Sequence, residues 1–159
     1  MIGWFCVSAD GRAAGSFVVD HLASFDATVP DSTSEHGRVG TDQALMSPEE
    51  AMRRLRQLTR RRSVNTTRVT LIVTGNELTV LDVETNAVME RFPLSLVHRP
   101  TAMMSDATSD KCDNAVVLIV LGEPQQQLPP EVHIFQCLKH RASTVTAAKL
   151  LLLLCISYL

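Results

Sequence analysis

The 159 residues contain no C-x-x-C pair, no H-E-x-x-H, no G-x-S-x-G and no glycine-rich phosphate loop. These absences exclude the commonest sequence marks of zinc, hydrolase and nucleotide chemistry. The four cysteines, Cys6, Cys112, Cys137 and Cys155, are far apart, and no Cys/His set has zinc-like spacing. They are expected to be reduced thiols of an intracellular protein. The start, "MIGWFCVSADGRAAG", lacks a basic segment followed by a long apolar run, so no signal peptide is expected. A net charge of −2 exerts no general pull toward nucleic acid or acidic membranes. Asp106, Asp110 and Asp113 lack the spacing of a calcium loop. The histidines are scattered, and His21 and His133 fall in strand-like stretches where a hydrogen-bonded structural role is expected. Asp82 and Glu84 flank a turn and read as solvated. The expectation is therefore no enzyme, no cofactor, no metal and no small-molecule substrate.

What remains is a core-forming chain, 45% hydrophobic and 20% charged, of a length suited to one domain. "SFVVDHLASFDA" alternates like a strand, with Phe17, Val19, His21 and Ala23 on one face. A polar stretch over residues 27–46 reads as a flexible loop. "SPEEAMRRLRQLTRRRS" reads as a helix: Ser47 as N-cap, Pro48 at the first position, Glu50 completing a capping box. Ala51, Met52, Leu55 and Leu58 make its apolar stripe. Strands follow at 69–73, 78–83, 88–92, 97–105, 114–122 and 131–137. Gly75, Asn76 and Asn86 suit tight hairpin turns. Pro100 cannot donate to a ladder, which puts its strand at a sheet edge. The order is strand, helix, six strands, helix. Hairpin spacing favours an antiparallel barrel or sandwich with helices at its ends. There are no internal repeats.

Arg53, Arg54, Arg56, Arg60, Arg61 and Arg62 crowd the first helix. A solvated face is the plain reading. The functional alternative, carried by Arg53, Arg56, Arg60, Arg61 and Arg62, is an acidic partner or an anionic lipid surface. No aromatic residues accompany them to stack on bases, which excludes single-stranded nucleic acid.

"VDHLASF", "LTVLDVETNAVMERFPL", "VHIFQC" and the "GEP" loop resemble the phosphotyrosine-binding (PTB) domain of the epidermal growth factor receptor kinase substrate 8 family, over about residues 17–137. The resemblance implies an α+β, pleckstrin-homology-like superfold: two near-orthogonal antiparallel sheets, seven strands in all, capped by a C-terminal helix. The domain would cover 16–156, after an extension over 1–15 and before an end at 157–159. It also implies an adaptor or scaffold of the cytoplasm or the plasma-membrane periphery. Such a domain binds short peptides of receptors or signalling proteins, often with an Asn-Pro-x-Tyr turn, by adding a strand to the fifth strand. On this chain the peptide-binding residues would be His98, Arg99, Thr101, Ala102, Met103, Met104 and Ser105, with Leu151 and Leu152 from the capping helix. Arg99, His98 or Arg91 would meet a tyrosine hydroxyl or phosphate. Strict dependence on phosphorylation is not expected. Longer members of the family also carry an SH3 domain and an actin-binding region, and act in signalling to the actin cytoskeleton. Neither module lies in these residues.

The C-terminal "KLLLLLCISYL" departs from the acidic, amphipathic helix of that family. Residues 150–159 would span ~15 Å as a helix, half of a ~30 Å hydrocarbon core. Extending back to Ala142 puts Lys149 near the middle at a cost of ~2.5–3.5 kcal/mol. A membrane-spanning anchor is therefore disfavoured. A barrel-plugging helix over 147–156 is expected instead, with leucines left over on its outer face.

Overall fold

The computed structural model describes residues 15–28, 45–62, 64–104, 113–123, 125–139, 141–143 and 145–146. The extension before Gly15, most of the polar loop, Ser105, and the tail with Leu151, Leu152 and the expected plugging helix lie outside the described residues. The elements are β1 (Gly15–Asp26), α1 (Pro48–Arg60), β2 (Thr67–Val73), β3 (Glu77–Asp82), β4 (Val88–Pro93), β5 (Val97–Met103), β6 (Ala115–Val120) and β7 (Glu131–Cys137).

All seven strands join one antiparallel sheet in the order β4-β3-β2-β1-β7-β6-β5. The two expected sheets are thus hydrogen-bonded into one, because β1 is long enough to serve both halves. Its residues Gly15 to His21 pair with β2, and Val19 to Asp26 pair with β7. A bulge between His21 and Ala23 shifts the register. One extra residue in a strand bends it and reverses the faces beyond it. Phe17 and Val19 accordingly pack in one core cluster, whereas Leu22, Ala23 and Phe25 pack in the other. The single-face alternation read from the sequence is corrected at this bulge.

The larger cluster draws Val69, Leu71 and Val73 of β2, Leu78 and Val80 of β3, Val116 and Leu118 of β6 and Phe135 of β7 onto one inner surface. Strands from both halves meet there, so the sheet closes over its own inner face. The second cluster lies beneath α1, where Ala51, Met52 and Leu55 meet Ala115, Val117, Ile119, Val132 and Ile134. β6 is therefore buried on both faces, as its nearly all-apolar sequence requires. Leu58 is only half-buried. Full burial of Met52 and Leu55 contributes ~1.5–3 kcal/mol each as an upper figure.

The local signals act as their chemistry dictates. The Ser47 hydroxyl accepts from the Glu50 N–H at 3.2 Å, and Pro48 opens the helix. Asp82 accepts from the N–H groups of Glu84 (3.0 Å) and Thr85 (2.8 Å), which makes the β3–β4 turn, and Asn86 takes the left-handed conformation there (φ 56°). The 27–46 loop is tied at its two ends: Thr28 bridges Leu45, and the Met46 N–H donates to the Ala27 carbonyl at 2.7 Å.

Candidate functional site

β5 and β4 are the edges of the sheet. The β5 edge carries the chain's sequence-predicted site. Hydrogen-bond parity can be followed from its neighbours. The Cys137 N–H donates to the Asn114 carbonyl, and the Leu121 N–H to the Leu96 carbonyl. In an antiparallel ladder the main-chain groups alternate sides. Val116 and Leu118 therefore address β7, while Ala115, Val117 and Ile119 address β5. Thr101 and Met103, opposite Val117 and Ala115, direct their N–H and C=O groups into the sheet. Ala102, between them, directs both groups outward. Its methyl packs on the inner cluster, and Met103 packs on the cluster beneath α1.

The edge is interrupted next to Thr101. His98 pairs with Ile119 and Thr101 with Val117, so Arg99 and Pro100 together oppose Leu118 alone. Arg99 holds φ 44°, the left-handed region, and accepts at its carbonyl from the Thr101 hydroxyl at 2.9 Å. The Arg99 side chain is exposed and His98 is half-buried. Met104, at the end of the strand, is 51% exposed, an unusual amount for a large apolar side chain. Ser105, Leu151 and Leu152 fall outside the described residues. Arg91 sits on β4, with Glu77 as its ion partner at 3.6 Å.

The α1 arginines are exposed as expected. Arg53 is held by the Glu50 carboxylate, and the Arg54 guanidinium lies 4.8 Å from the centre of the Phe25 ring, a cation–π contact. Beyond the helix, Arg68 pairs with Asp20 at 2.9 Å. At the C-terminal end of α1 a cavity of about 270 Å³ is lined by Leu22, Leu55, Thr59, Arg62, Val64, Thr66 and Gln136.

Two features were not legible beforehand. The first is a buried imidazole, His133, stacked beside the half-buried His21. His133 is fully buried between Phe92, Phe135 and His21, at ring separations of 4.9, 6.3 and 5.8 Å. Neither of its nitrogens makes a hydrogen bond, nor does Nε2 of His21. The expected hydrogen-bonded histidine is corrected to a ring packed as an aromatic. Burial, then the neighbouring His21, pulls the His133 imidazole down to about 4. Burial lowers His21 as well, against a backbone hydrogen bond at Ala23. The second feature is Asn114, at φ 59°. Its side chain donates to the Cys137 carbonyl at 3.0 Å and accepts from the Ala142 N–H at 2.7 Å. This clamps the end of β7 to the segment that follows, where Ala142 and Val145 enter the inner core. The Cys137 thiol, in that core, is pushed up to about 11 by burial and is unreactive.

Among the described residues no group of His, Cys, Asp and Glu side chains is arranged to hold a metal ion. No described helix is long and apolar enough to cross a membrane.

A family model of the phosphotyrosine-binding domain matches residues 18–150. The chain belongs to the phosphotyrosine-binding domain family. Its sheet and helix are the pleckstrin-homology-like fold of that family. Curated relatives include the human epidermal growth factor receptor kinase substrate 8-like protein 2, 29% identical over 119 residues. Human epidermal growth factor receptor kinase substrate 8 is 27% identical over 103 residues, and the mouse protein 26% over 103. These matches take in 75% of this chain for the first relative and 65% for the other two. The chain spans only 14% and 12% of the length of those relatives. Domains of this family bind peptide motifs of partner proteins, and membership gives this chain a protein-interaction, adaptor role.

Proposed function

We propose that this domain binds a short peptide segment of a receptor or signalling protein by strand addition to β5. The outward-facing main chain of Ala102 on an edge strand is the observation that carries this reading. An unpaired edge is a template for another strand. Main-chain bonds supply affinity, and pockets for alternate side chains supply selectivity. Met104, exposed and polarisable, gives an adaptable apolar contact. Arg99 and His98 stand where a tyrosine of an Asn-Pro-x-Tyr-like turn would be met. Leu151 and Leu152, outside the described residues, belong to the same proposed peptide-binding set.

Phosphorylation of that tyrosine is not required. A phosphate needs converging cations, and Arg91, the cation proposed to join Arg99, is engaged with Glu77 on β3. Calorimetric titration with matched phosphorylated and unphosphorylated Asn-Pro-x-Tyr peptides tests this. Affinities within about tenfold, or ~1.4 kcal/mol, are expected, and a larger gain on phosphorylation refutes it. The relatives' names, as substrates of an epidermal growth factor receptor kinase, support a place in receptor signalling, and on this reading the domain works in the cytoplasm or at the plasma-membrane periphery, with the actin cytoskeleton downstream.

A second reading uses the α1 face. Arg53, Arg56 and Arg60 on α1 and Arg61 and Arg62 just after it are exposed, and anionic headgroups would be attracted to such a surface. The macrodipole already accounts for arginines at a helix C-terminus, so this reading stands behind the first. Co-sedimentation with phosphoinositide-containing vesicles decides it: binding that is lost on changing Arg60, Arg61 and Arg62 to Ala supports it, and no binding removes it.

A further inference from the structure

The core-facing stripe of α1 changes character toward its C-terminal end. Ala51, Met52 and Leu55 are buried, and the next positions on that face, at helical spacing, are Thr59 and Arg62. The cavity of about 270 Å³ opens where the apolar residues run out, with Leu22, Leu55 and Val64 beside Thr59, Thr66 and Arg62. Arg62 stands one place past the Arg61 cap, and its N–H donates to the Thr59 carbonyl at 3.0 Å. That place takes the left-handed conformation and usually holds glycine. Here a long cationic residue adopts it, at φ 54°. Backbone strain of this kind gathers at binding sites, and this side chain lines the cavity. Among the described lining residues Arg62 is the charged one. Nearby carboxylates are engaged elsewhere, Asp20 with Arg68 and Glu50 with Arg53. The negative end of the helix is blunted, because the Thr59 hydroxyl and the N–H groups of Arg61 and Arg62 donate to the Leu55, Gln57 and Thr59 carbonyls. The site is therefore an apolar hollow with a positive rim.

We propose that this cavity is a second docking site, for an acidic segment of a partner protein that presents one bulky apolar side chain between carboxylates. The apolar side chain enters against Leu22, Leu55 and Val64, and the carboxylates meet Arg62 and the exposed Arg60. Attraction between exposed charges sets the approach, and burial of the apolar side chain supplies selectivity. A headgroup surface would answer the arginines but has nothing to place in an apolar hollow, because its hydrocarbon stays in the bilayer. The pairing of hollow and charge is thus matched by a protein segment. No residue of β5 lines the cavity. A peptide on that edge leaves the hollow open, and a partner that carries both segments gains from their linkage. The inference is independent of the β5 reading, and it competes with the headgroup reading for the same arginines.

The test titrates two synthetic peptides into the labelled domain: acetyl-Asp-Glu-Asp-Phe-Glu-Asp-Glu-amide, and its counterpart with Ser in place of Phe. The Phe peptide should shift the amides of Leu22, Leu55, Thr66 and Gln136 and bind about tenfold or more tighter than the Ser peptide. Arg62→Ala should weaken both peptides about two- to fivefold. Thr66→Trp fills the hollow from its exposed rim and leaves every arginine in place. It should bring the Phe peptide down to the affinity of the Ser peptide, with amide spectra showing a folded domain. The comparison of the two peptides on the parent domain holds even if Thr66→Trp fails to fold. Equal affinities of the two peptides would leave a general attraction of charges and overturn the docking site. Shifts away from the cavity, or no binding of the Phe peptide, would overturn it too. Binding to phosphoinositide-containing vesicles without binding of the Phe peptide would give the face to a membrane instead. None of these outcomes touches the β5 reading.

Discussion

His133 makes the stability of this domain sensitive to mild acid. Its ring is buried against Phe92, Phe135 and His21, and the carboxylates of Glu131 and Glu90 lie 3.4 and 4.0 Å from its nitrogens without hydrogen-bonding them. In the unfolded chain the imidazole keeps its ordinary pKa of ~6.5, and burial in the folded chain pulls it down to about 4. The folded pKa is depressed, so the unfolded state takes up the proton first. Stability is whole above the unfolded value and is lost as pH falls toward the folded one. Between about pH 7.5 and about pH 5.5 the loss is ~1.4 kcal/mol. His21, lowered by burial, adds a loss of the same sign. Glu90 acts oppositely, because burial and then Glu131 raise its pKa. The folded state binds that proton first, so the comparison is best kept above the ordinary carboxylate range. Urea midpoints at the two pH values give the measurement. His133→Leu removes the titration and the two unbonded nitrogens together, and replacing an unsatisfied buried polar group by an apolar one is near neutral or stabilising. The variant is expected to match or exceed the parent at neutral pH and to keep only the smaller slope from His21. A slope equal to the parent's, or no slope in the parent, would refute the neutral, desolvated His133.

Leu55→Ala should lower stability by ~2–5 kcal/mol, because Leu55 is fully buried where α1 meets the sheet; a loss below about 1 kcal/mol in urea unfolding would mean that α1 is not docked as described. Asn114→Ala removes both side-chain bonds of the clamp and places Ala at positive φ. It should cost ~1–3 kcal/mol and speed hydrogen exchange at Ala142 and Val145 well beyond the rest of the core, whereas uniform exchange would show that the clamp has no local role.

The helix and the hairpins were legible because local chemistry decides them. Ser47, Pro48 and Glu50 mark a helix start in any context, and Asp82 with Asn86 makes a turn from its own side chains. Pro100 announced an edge strand for the same reason. The bulges at Leu22 and at Arg99–Pro100 were not legible, since each depends on which residue a neighbouring strand places opposite. Ala23 looked like a partner of Phe17 until the register shifted. The ladder parity that singles out Ala102 from Thr101 and Met103 is likewise a property of pairing with β6, not of the Thr-Ala-Met sequence. Burial of His133 follows from β4 approaching β7 through Phe92 and Glu90, a contact between segments far apart in the chain. The family resemblance implied seven antiparallel strands and agreed with Pro100 on an edge at β5, whereas the order of strands in the sheet was not read.

Amide chemical-shift mapping of an Asn-Pro-x-Tyr peptide titrated into the labelled domain interrogates the proposed peptide-binding edge itself. Strand addition at β5 requires the largest shifts at His98, Arg99, Ala102 and Met104, with new protection of the Ala102 amide from exchange. Shifts centred on α1 or β4, with Ala102 exchanging as fast as in the free domain, would contradict it.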